Sequence, residues 1–523
     1  MALFAQLASW PADRAARARA VASVRRPLAP EVHRALVAQN ARLAASPARE
    51  AYLDALGHGA AVVVTGQQVG LFLGPLYTIY KAASAIALAR RLADESGAPV
   101  VPVFWLQTED HDLPEIASLG VPGHAVCETV AAPIDHDNRV SIAHRVLPAE
   151  ITGCVERLAE LLGGGVLAQA HVERMARHYR PGVAWADAFA GALAELFAPE
   201  GLVMIDPRDP ALAAWSGPIH HRAIAEAESI AAAMIDRGAE LERAGRPVPI
   251  YVRPGAPLSF YHPDGAEGPR VRLEPSGDGG LAEVGSGRGY ARAALLDEAL
   301  REPRRFSTSA LLRPILQDSL LPTVAYVGGP AEVAYFGQLG PVYAAFDRAM
   351  PMIVPRARFR VIDGRTHKLL ARLGLTARDV ECPEEELLAR LRPPARSAAA
   401  ITDQLLRPFL AQHAALAEAI DHPQLIKALA RTRGSVERAV GKLASKVERT
   451  ELYADAERVD AVRRLRAVLV PDGAPQERRL GLAGLAARIG DRELIDRVMQ
   501  HLQDAELFGP ASPLGGPVQE VAA

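Results

Sequence analysis

The run Ala61-Val62-Val63-Val64, which stops at Thr65-Gly66, constrains this chain more than any other stretch. A short unbroken apolar segment that ends in a turn is the profile of a strand buried on both faces. A helix begins near Leu76, with Leu76, Ile79, Ala83 and Ile86 on its apolar face, and Asp94 to Ala98 supplies a polar, glycine-containing stop. Pro99 to Gln107 is a second apolar strand, and it ends on the polar cluster Glu109-Asp110-His111-Asp112. Strand, helix and strand within about 50 residues form a βαβ unit, so the two strands run parallel and the crossover is right-handed.

Other segments extend this α/β pattern. Residues 31–56 read as one helix, and two more helices are expected over about 148–162 and 166–198. Gly201 to Pro210 reads as a short buried strand that ends at Asp206. Residues 245–303 are rich in Gly and Pro and read as a small insertion with short strands. Thr323 to Val327 is a further strand. It runs into Gly328-Gly329-Pro330, where proline suits the first position of a helix. Met352 to Pro355 is another strand, and from about residue 364 the chain is almost wholly helical. Leu406, Phe409, His413, Leu416 and Ile420 follow alternating 3,4 spacing, as do Val436, Val440, Leu443, Val447 and Thr450. That is the seam of a coiled coil, and a helical hairpin used for dimerisation is expected. An unbroken helix over 423–466 would be on the order of 65 Å long.

Bulk properties exclude several classes. The 523 residues exceed one ordinary core, so several structural units are expected. With 59 Lys and Arg against 61 Asp and Glu, charge gives no reason to expect nucleic acid or an acidic membrane as partner. No apolar run long enough to span a membrane occurs, and Met1 to Ala20 lacks the apolar centre of a secretory signal. Cys127, Cys154 and Cys382 are scattered and form no CxxC pair. Neither a disulfide framework nor a structural metal site is expected, and a reducing cytoplasmic setting fits.

In parallel sheets ligands collect at the carboxyl ends of the strands. The first strand ends at Gly66-Gln67-Gln68-Val69-Gly70, and the second at Glu109-Asp110-His111-Asp112. Glycines let backbone approach a ligand, and the next helix can offer N–H groups to an anion. Tyr77, Lys81 and Ser84 form a polar stripe on that helix, where Lys81 could grip a carboxylate or phosphate or simply be solvated. The stretch matches neither a Walker loop nor GxGxxG. Crowded carboxylates beside a histidine suit an ammonium group, a metal or a general base, and equally an N-cap with an acidic first turn. A third group comprises Arg313, Gln317 and Asp318, then Gly329, Glu332 and Tyr335. Glu332 lies in the first turn of its helix and suits an amine-bearing substrate or the helix dipole.

Thr65–Lys81, Val101–Asp112 and Leu311–Leu339 together resemble the cysteine ligase family of bacillithiol biosynthesis, BshC. Pro351–Arg356 and Pro475-Gln476-Glu477-Arg478 carry the same likeness. The resemblance implies a Rossmann-like parallel-sheet core over 1–120, 201–244 and 304–375. Two connecting insertions interrupt it, 121–200, mainly helical, and 245–303. A helical coiled-coil domain over 376–508 then pairs subunits into a homodimer, and a flexible tail follows over 509–523. The implied reaction joins cysteine to glucosaminyl-malate through an amide bond, with ATP/ADP as the expected cofactor and magnesium as a further candidate, the carboxyl being activated as an adenylate or an acyl phosphate. On this reading Lys81, Gly66 and Gly70 hold an anion, and Glu109, Asp110 and Asp112 hold an ammonium group or magnesium. His111 is the candidate base, and Gln67, Gln68, Gln317 and Asp318 face sugar hydroxyls. Another amide-forming ligase of this fold and a non-catalytic nucleotide-binding scaffold remain open.

Overall fold

The computed structural model describes residues 11, 13–134, 139–391, 397–503 and 518–522. The chain divides into two compact units, one formed by 1–121, 128–363 and 477–523, the other by 122–127 and 364–476.

The first unit is built on a five-stranded sheet. Its strands are β1 (Ala61–Gln67), β2 (Val100–Leu106), β3 (Val203–Ile205), β4 (Thr323–Gly328) and β5 (Met352–Pro355). They lie in the order β5-β4-β1-β2-β3, and every pairing is parallel. Because side chains alternate across a strand, Val62, Val64, Val101, Val103 and Trp105 enter one continuous apolar cluster. Register places Thr65 beside both Val327 and Phe104, so three strands end together at one edge of the sheet. The chain reverses direction across the sheet between β1 and β4, which is where a doubly wound sheet opens a crevice.

Helix α1 (Tyr77–Ser96) connects β1 to β2, and every residue from Thr78 to Ala89 is buried. Its run of alanines lets the sheet approach on one side, while helices Arg14–Val24 and Asp491–Leu502 cover the other. The polar stripe expected at Tyr77, Lys81 and Ser84 is therefore not a solvated face. Ser84 is buried and accepts the Ala357 N–H at 3.1 Å, and Lys81 is 3% exposed.

The helix expected over 31–56 is two helices, Pro30–Asn40 and Pro47–Gly57. Ser46 Oγ accepts the Arg49 N–H at 3.1 Å and starts the second one, with Pro47 at its first position. The break serves the sheet: Asn40 donates to Met204 O at 2.8 Å and accepts from Met204 N at 2.9 Å, which satisfies the free edge of β3.

The first inserted region carries helices Ile151–Leu162, Val166–His178 and Trp185–Leu196. The second is an antiparallel sheet of Ser259–Tyr261, Val271–Pro275, Leu281–Glu283 and Gly289–Tyr290. Its outer strand, Phe306–Thr308, lies beyond the limit of 303 expected from composition. Helix α2 (Arg313–Leu320) leads into β4, and α3 (Pro330–Phe336) follows β4. Most of the tail expected over 509–523 lies outside the described residues. Gln519–Ala522, however, forms a strand paired in parallel with Phe359–Ile362, and Val521 is fully buried there.

The second unit is helical. Helices α4 (Ala398–Glu418) and α5 (Pro423–Leu452) form a hairpin, with His413 Nε2 3.0 Å from Leu429 O. The single helix expected over 423–466 stops at Leu452 and restarts as α6 (Ala456–Leu469). Asp455 caps the restart by accepting the Arg458 N–H at 3.0 Å, and that local bond competes with helix continuation. Leu416 and Leu443, both placed in the expected seam, are each 51% exposed. Among the described residues no helix is long and apolar enough to cross a membrane.

Candidate active site

A cleft of about 420 Å³ opens where β1, β2 and β4 end. Its floor is the buried pair Lys81 and Glu332. Lys81 Nζ donates to Gly66 O and Gln67 Oε1, both at 2.8 Å, and forms an ion pair with Glu332. Glu332 also accepts the Tyr326 hydroxyl at 2.5 Å and the Gly329 N–H at 2.7 Å. Burial draws the Lys81 pKa below its ordinary value, although Glu332 opposes this. Burial pushes Glu332 upward, but the Lys81 charge and the donated hydrogen bonds outweigh it and hold the carboxyl low. Glu332 thereby takes the N–H of Gly329, the N-cap of α3, and places a negative charge at that helix end, where it competes with any phosphate.

A second charged group forms the wall contributed by β2. Arg270, brought in by the antiparallel insertion, donates from Nη2 to Asp110 Oδ1 and from Nε to His111 Nδ1, both at 2.7 Å. Its guanidinium lies 4.1 Å from the centre of the Phe260 ring. Gln68 donates to the other Asp110 oxygen at 2.9 Å. Burial pushes the Asp110 pKa up, but Arg270 and these hydrogen bonds prevail and leave it lowered. Glu109 is fixed by the Thr308 N–H at 3.1 Å and by the Thr308 hydroxyl.

The opposite wall holds two buried arginines. Arg313 donates to Gln317 Oε1 at 2.7 Å and to the Tyr335 hydroxyl at 3.0 Å, with its guanidinium 4.9 Å from the Tyr326 ring centre. Arg356 forms a two-point bridge to the buried Glu477, at 2.8 and 3.0 Å. Arg478 and Glu115, both exposed, complete the rim. Partial burial, then Asp112 and Asp110, raise the Glu115 pKa against a Gln68 hydrogen bond.

Of the residues singled out by sequence, Gly66, Gln67, Gln68, Tyr77, Lys81, Glu109, Asp110, Arg313, Gly329, Glu332 and Tyr335 line this cleft. Gly70, His111, Asp112, Gln317 and Asp318 are not among its lining residues. Each of the five has a local partner. A Cβ on Gly70 would meet the Gly74 Cα at 2.8 Å, and Gly70 O accepts the Tyr179 hydroxyl at 3.1 Å, so this glycine closes a turn. The Nδ1 lone pair of His111 is taken by Arg270. Asp112 caps a short helix by accepting the Glu115 N–H at 3.3 Å. Gln317 holds Arg313, and Asp318 accepts from Gln317 at 2.9 Å and from the Tyr343 hydroxyl at 2.6 Å. Among the described residues, no group of three or more His, Cys, Asp or Glu side chains is placed to hold a metal.

Arg270, Glu115, Arg356, Arg478 and Thr308 were not singled out for the site. Arg356 follows β5 directly, so the strand-end rule alone would have found it. Arg270 and Thr308 come from the antiparallel insertion, whose docking no local pattern reveals.

A family model described as "Bacillithiol biosynthesis BshC, N-terminal Rossmann-like domain" matches residues 4–357. The chain belongs to the BshC family. A relative from Koribacter versatilis, named "Putative cysteine ligase BshC", is 36% identical over 480 residues, which cover 89% of this chain and 86% of the relative. A relative of the same name from Salinibacter ruber is 34% identical over 483 residues, 90% of this chain and 87% of its own length. A third of that name, from Solibacter usitatus, is 32% identical over 448 residues, 83% and 80% of the two chains. The match to the BshC model takes in β1 to β5 and both inserted regions.

Proposed function

We propose that this BshC-family chain is a carbon–nitrogen ligase that joins the carboxyl of cysteine to the amine of glucosaminyl-malate, the closing step of bacillithiol formation. The observation that carries this reading is the cleft itself. It places two carboxylate–cation pairs, Lys81–Glu332 and Arg270–Asp110, at the ends of adjacent parallel strands. Both substrates carry amines and carboxylates, and a site lined with both signs of charge can orient each group. Glu332 and Glu109 are the acids that can face an ammonium group, while Arg270, Arg313 and Arg478 can face carboxylates.

Amide formation at neutral pH needs the attacking amine without its extra proton. Glu115, with its raised pKa, is the carboxylate of the cleft best matched to accept that proton. His111 is the base expected from sequence; Arg270 engages its Nδ1, which sets the ring beside Asp110 and leaves Nε2 as the nitrogen for proton transfer, so Glu115 and His111 are the two candidates. The reading includes ATP, whose chemistry when bound is to turn the carboxylate oxygen into a leaving group. Arg478 is exposed on the cleft and Arg270 lies on its wall, so the two fit a phosphate chain. A magnesium ion accompanying the nucleotide needs only one or two protein carboxylates, and Glu109 or Asp110 would serve. The exposed Leu405, Leu416, Leu425, Ile426 and Leu443 of the helical hairpin support pairing of two copies through that unit.

The test is ATP consumption by the purified chain with cysteine and glucosaminyl-malate, together with the mass of the product. ATP turnover that requires both substrates and yields the amide supports the reading. Nucleotide binding without turnover favours a non-catalytic scaffold, and turnover with a different amino acid points to another amide ligase of this fold.

A further inference from the structure

A second cleft, about 470 Å³, opens where β2 and β3 end, with Leu106, Met204 and Asp206 in its lining. It shares no lining residue with the Lys81–Glu332 cleft. Five arginines line it, Arg42, Arg177, Arg180, Arg208 and Arg304, and among the described residues only Arg177 has a carboxylate at ion-pair distance. Other ionic groups nearby are already matched. Arg177 and His178 both bind Glu195, at 2.6 and 2.7 Å. Asp206 accepts the Thr108 hydroxyl and, at 2.9 Å, the Arg208 N–H, while Asp209 accepts the Ala211 N–H at 2.8 Å. Asp187 is exposed to solvent.

Arg208 is 7% exposed. Its guanidinium donates only to neutral partners: Phe306 O at 2.9 Å, Ala266 O at 2.7 Å, Arg304 O at 3.1 Å and His144 Nε2 at 3.4 Å. Its Nε–H is buried with no partner, and so is the Nε–H of Arg304. Glu109 and Asp206 act on the Arg208 guanidinium only from beyond ion-pair distance, and burial still draws its pKa down. A buried guanidinium held in place by carbonyls, with one N–H unused and no carboxylate in contact, is costly unless an anion arrives. Planar guanidinium groups match tetrahedral oxyanions through paired donors. Leu43, Leu106 and Val183 add an apolar wall that suits the organic part of an ester.

We propose that this second cleft binds an oxyanion of the phosphate class, either free phosphate or the phosphate of a small ester. Arg208 is its fixed donor, Arg304 adds a second guanidinium beside it, and Arg42 and Arg180 close over it from the exposed side. The inference does not depend on the ligase reading.

The test is calorimetric titration of the full chain with inorganic phosphate, a hexose phosphate and AMP in turn. Saturable one-to-one binding of at least one ligand is expected. The double variant Arg42→Gln/Arg180→Gln changes two exposed side chains that carry no structural contact, and it should bind about tenfold more weakly or worse. Arg478→Gln, on the other cleft, should leave this affinity unchanged. Tighter binding of an ester than of phosphate identifies the ester as the ligand, and the reverse order identifies free phosphate. The proposal is overturned if no ligand saturates by about 10 mM, if the double variant binds like the native chain, or if Arg478→Gln abolishes the signal.

Discussion

Replacing Lys81 with methionine keeps an unbranched side chain of the lysine stem's length and removes the terminal nitrogen and its charge. Three acceptors then lose their donor: Gly66 O, Gln67 Oε1 and Glu332. Stripping one partner from a buried ion pair costs about 3–5 kcal/mol. The Glu332 side chain keeps 17% of its surface in solvent and retains the Tyr326 and Gly329 donors, which favours the lower end. The two other acceptors add about 1 kcal/mol each, so the sum is about 5 kcal/mol. The pair should also show in a double-mutant cycle, with Lys81→Met/Glu332→Gln recovering about 1–2 kcal/mol of the single-variant loss. All four tryptophans, at 10, 105, 185 and 215, fall outside residues 364–476, so urea unfolding followed by tryptophan fluorescence reports on the unit that holds the cleft. The pH dependence has a defined sign. Glu332 has a depressed pKa in the folded chain, so its contribution is present above the ordinary glutamate value and is lost as pH falls through the folded one. The gap between native chain and variant should therefore be widest near neutrality and narrow on acidification. A variant within about 0.5 kcal/mol of the native chain, or a gap constant between about pH 8 and pH 4, would refute the reasoning.

Other outcomes follow from the same geometry. Arg270→Met leaves Asp110 without its cation and His111 without its donor, and ligase turnover should fall about 100-fold or more in a product-formation assay. Asp112→Ala removes only a helix cap, so it should cost about 1 kcal/mol in urea unfolding while turnover stays near native. Asp206 is pushed up to about 6 by burial, above its ordinary value in the unfolded chain. The folded state thus holds that proton more tightly, and its stabilising effect is present at low pH and lost as pH rises through about 6. Asp206→Asn should remove that component, so unfolding midpoints of the two proteins should diverge in slope across this range.

Sequence patterns gave access to the sheet and to about half of the candidate cleft for one reason. Buried parallel strands are unbroken apolar runs, and each of the five strands except its exact limits can be read that way, from Ala61–Val64 to Met352–Pro355. The first residues after β1, β2 and β4 then fall in the cleft by geometry alone. What stayed hidden depends on long-range docking. Nothing near Arg270 in the chain announces that it reaches Asp110, which lies 160 positions away. Lys81 looked like half of a solvated stripe because the covering helices, Arg14–Val24 and Asp491–Leu502, come from the two ends of the chain. Gly70 looked like a ligand-facing glycine because a glycine pattern does not distinguish a cradle for phosphate from a turn that folds back on itself.

That turn carries an implication for the order in which the protein can assemble. Phe72 and Leu73 have φ values of 47° and 74°, in the left-handed region that non-glycine residues enter at about 1–2 kcal/mol each. The Tyr179 hydroxyl donates to Gly70 O and receives the Leu73 N–H, and the Trp185 indole donates to Val69 O. Both clamps belong to the first inserted region, more than 100 positions downstream. As the chain emerges from the ribosome, β1 and α1 are complete well before the side chains that hold their connection in shape. The connection from β1 to α1 therefore cannot take its final form until that insertion has been synthesised and docked, and trimming the insertion would leave the turn free to relax.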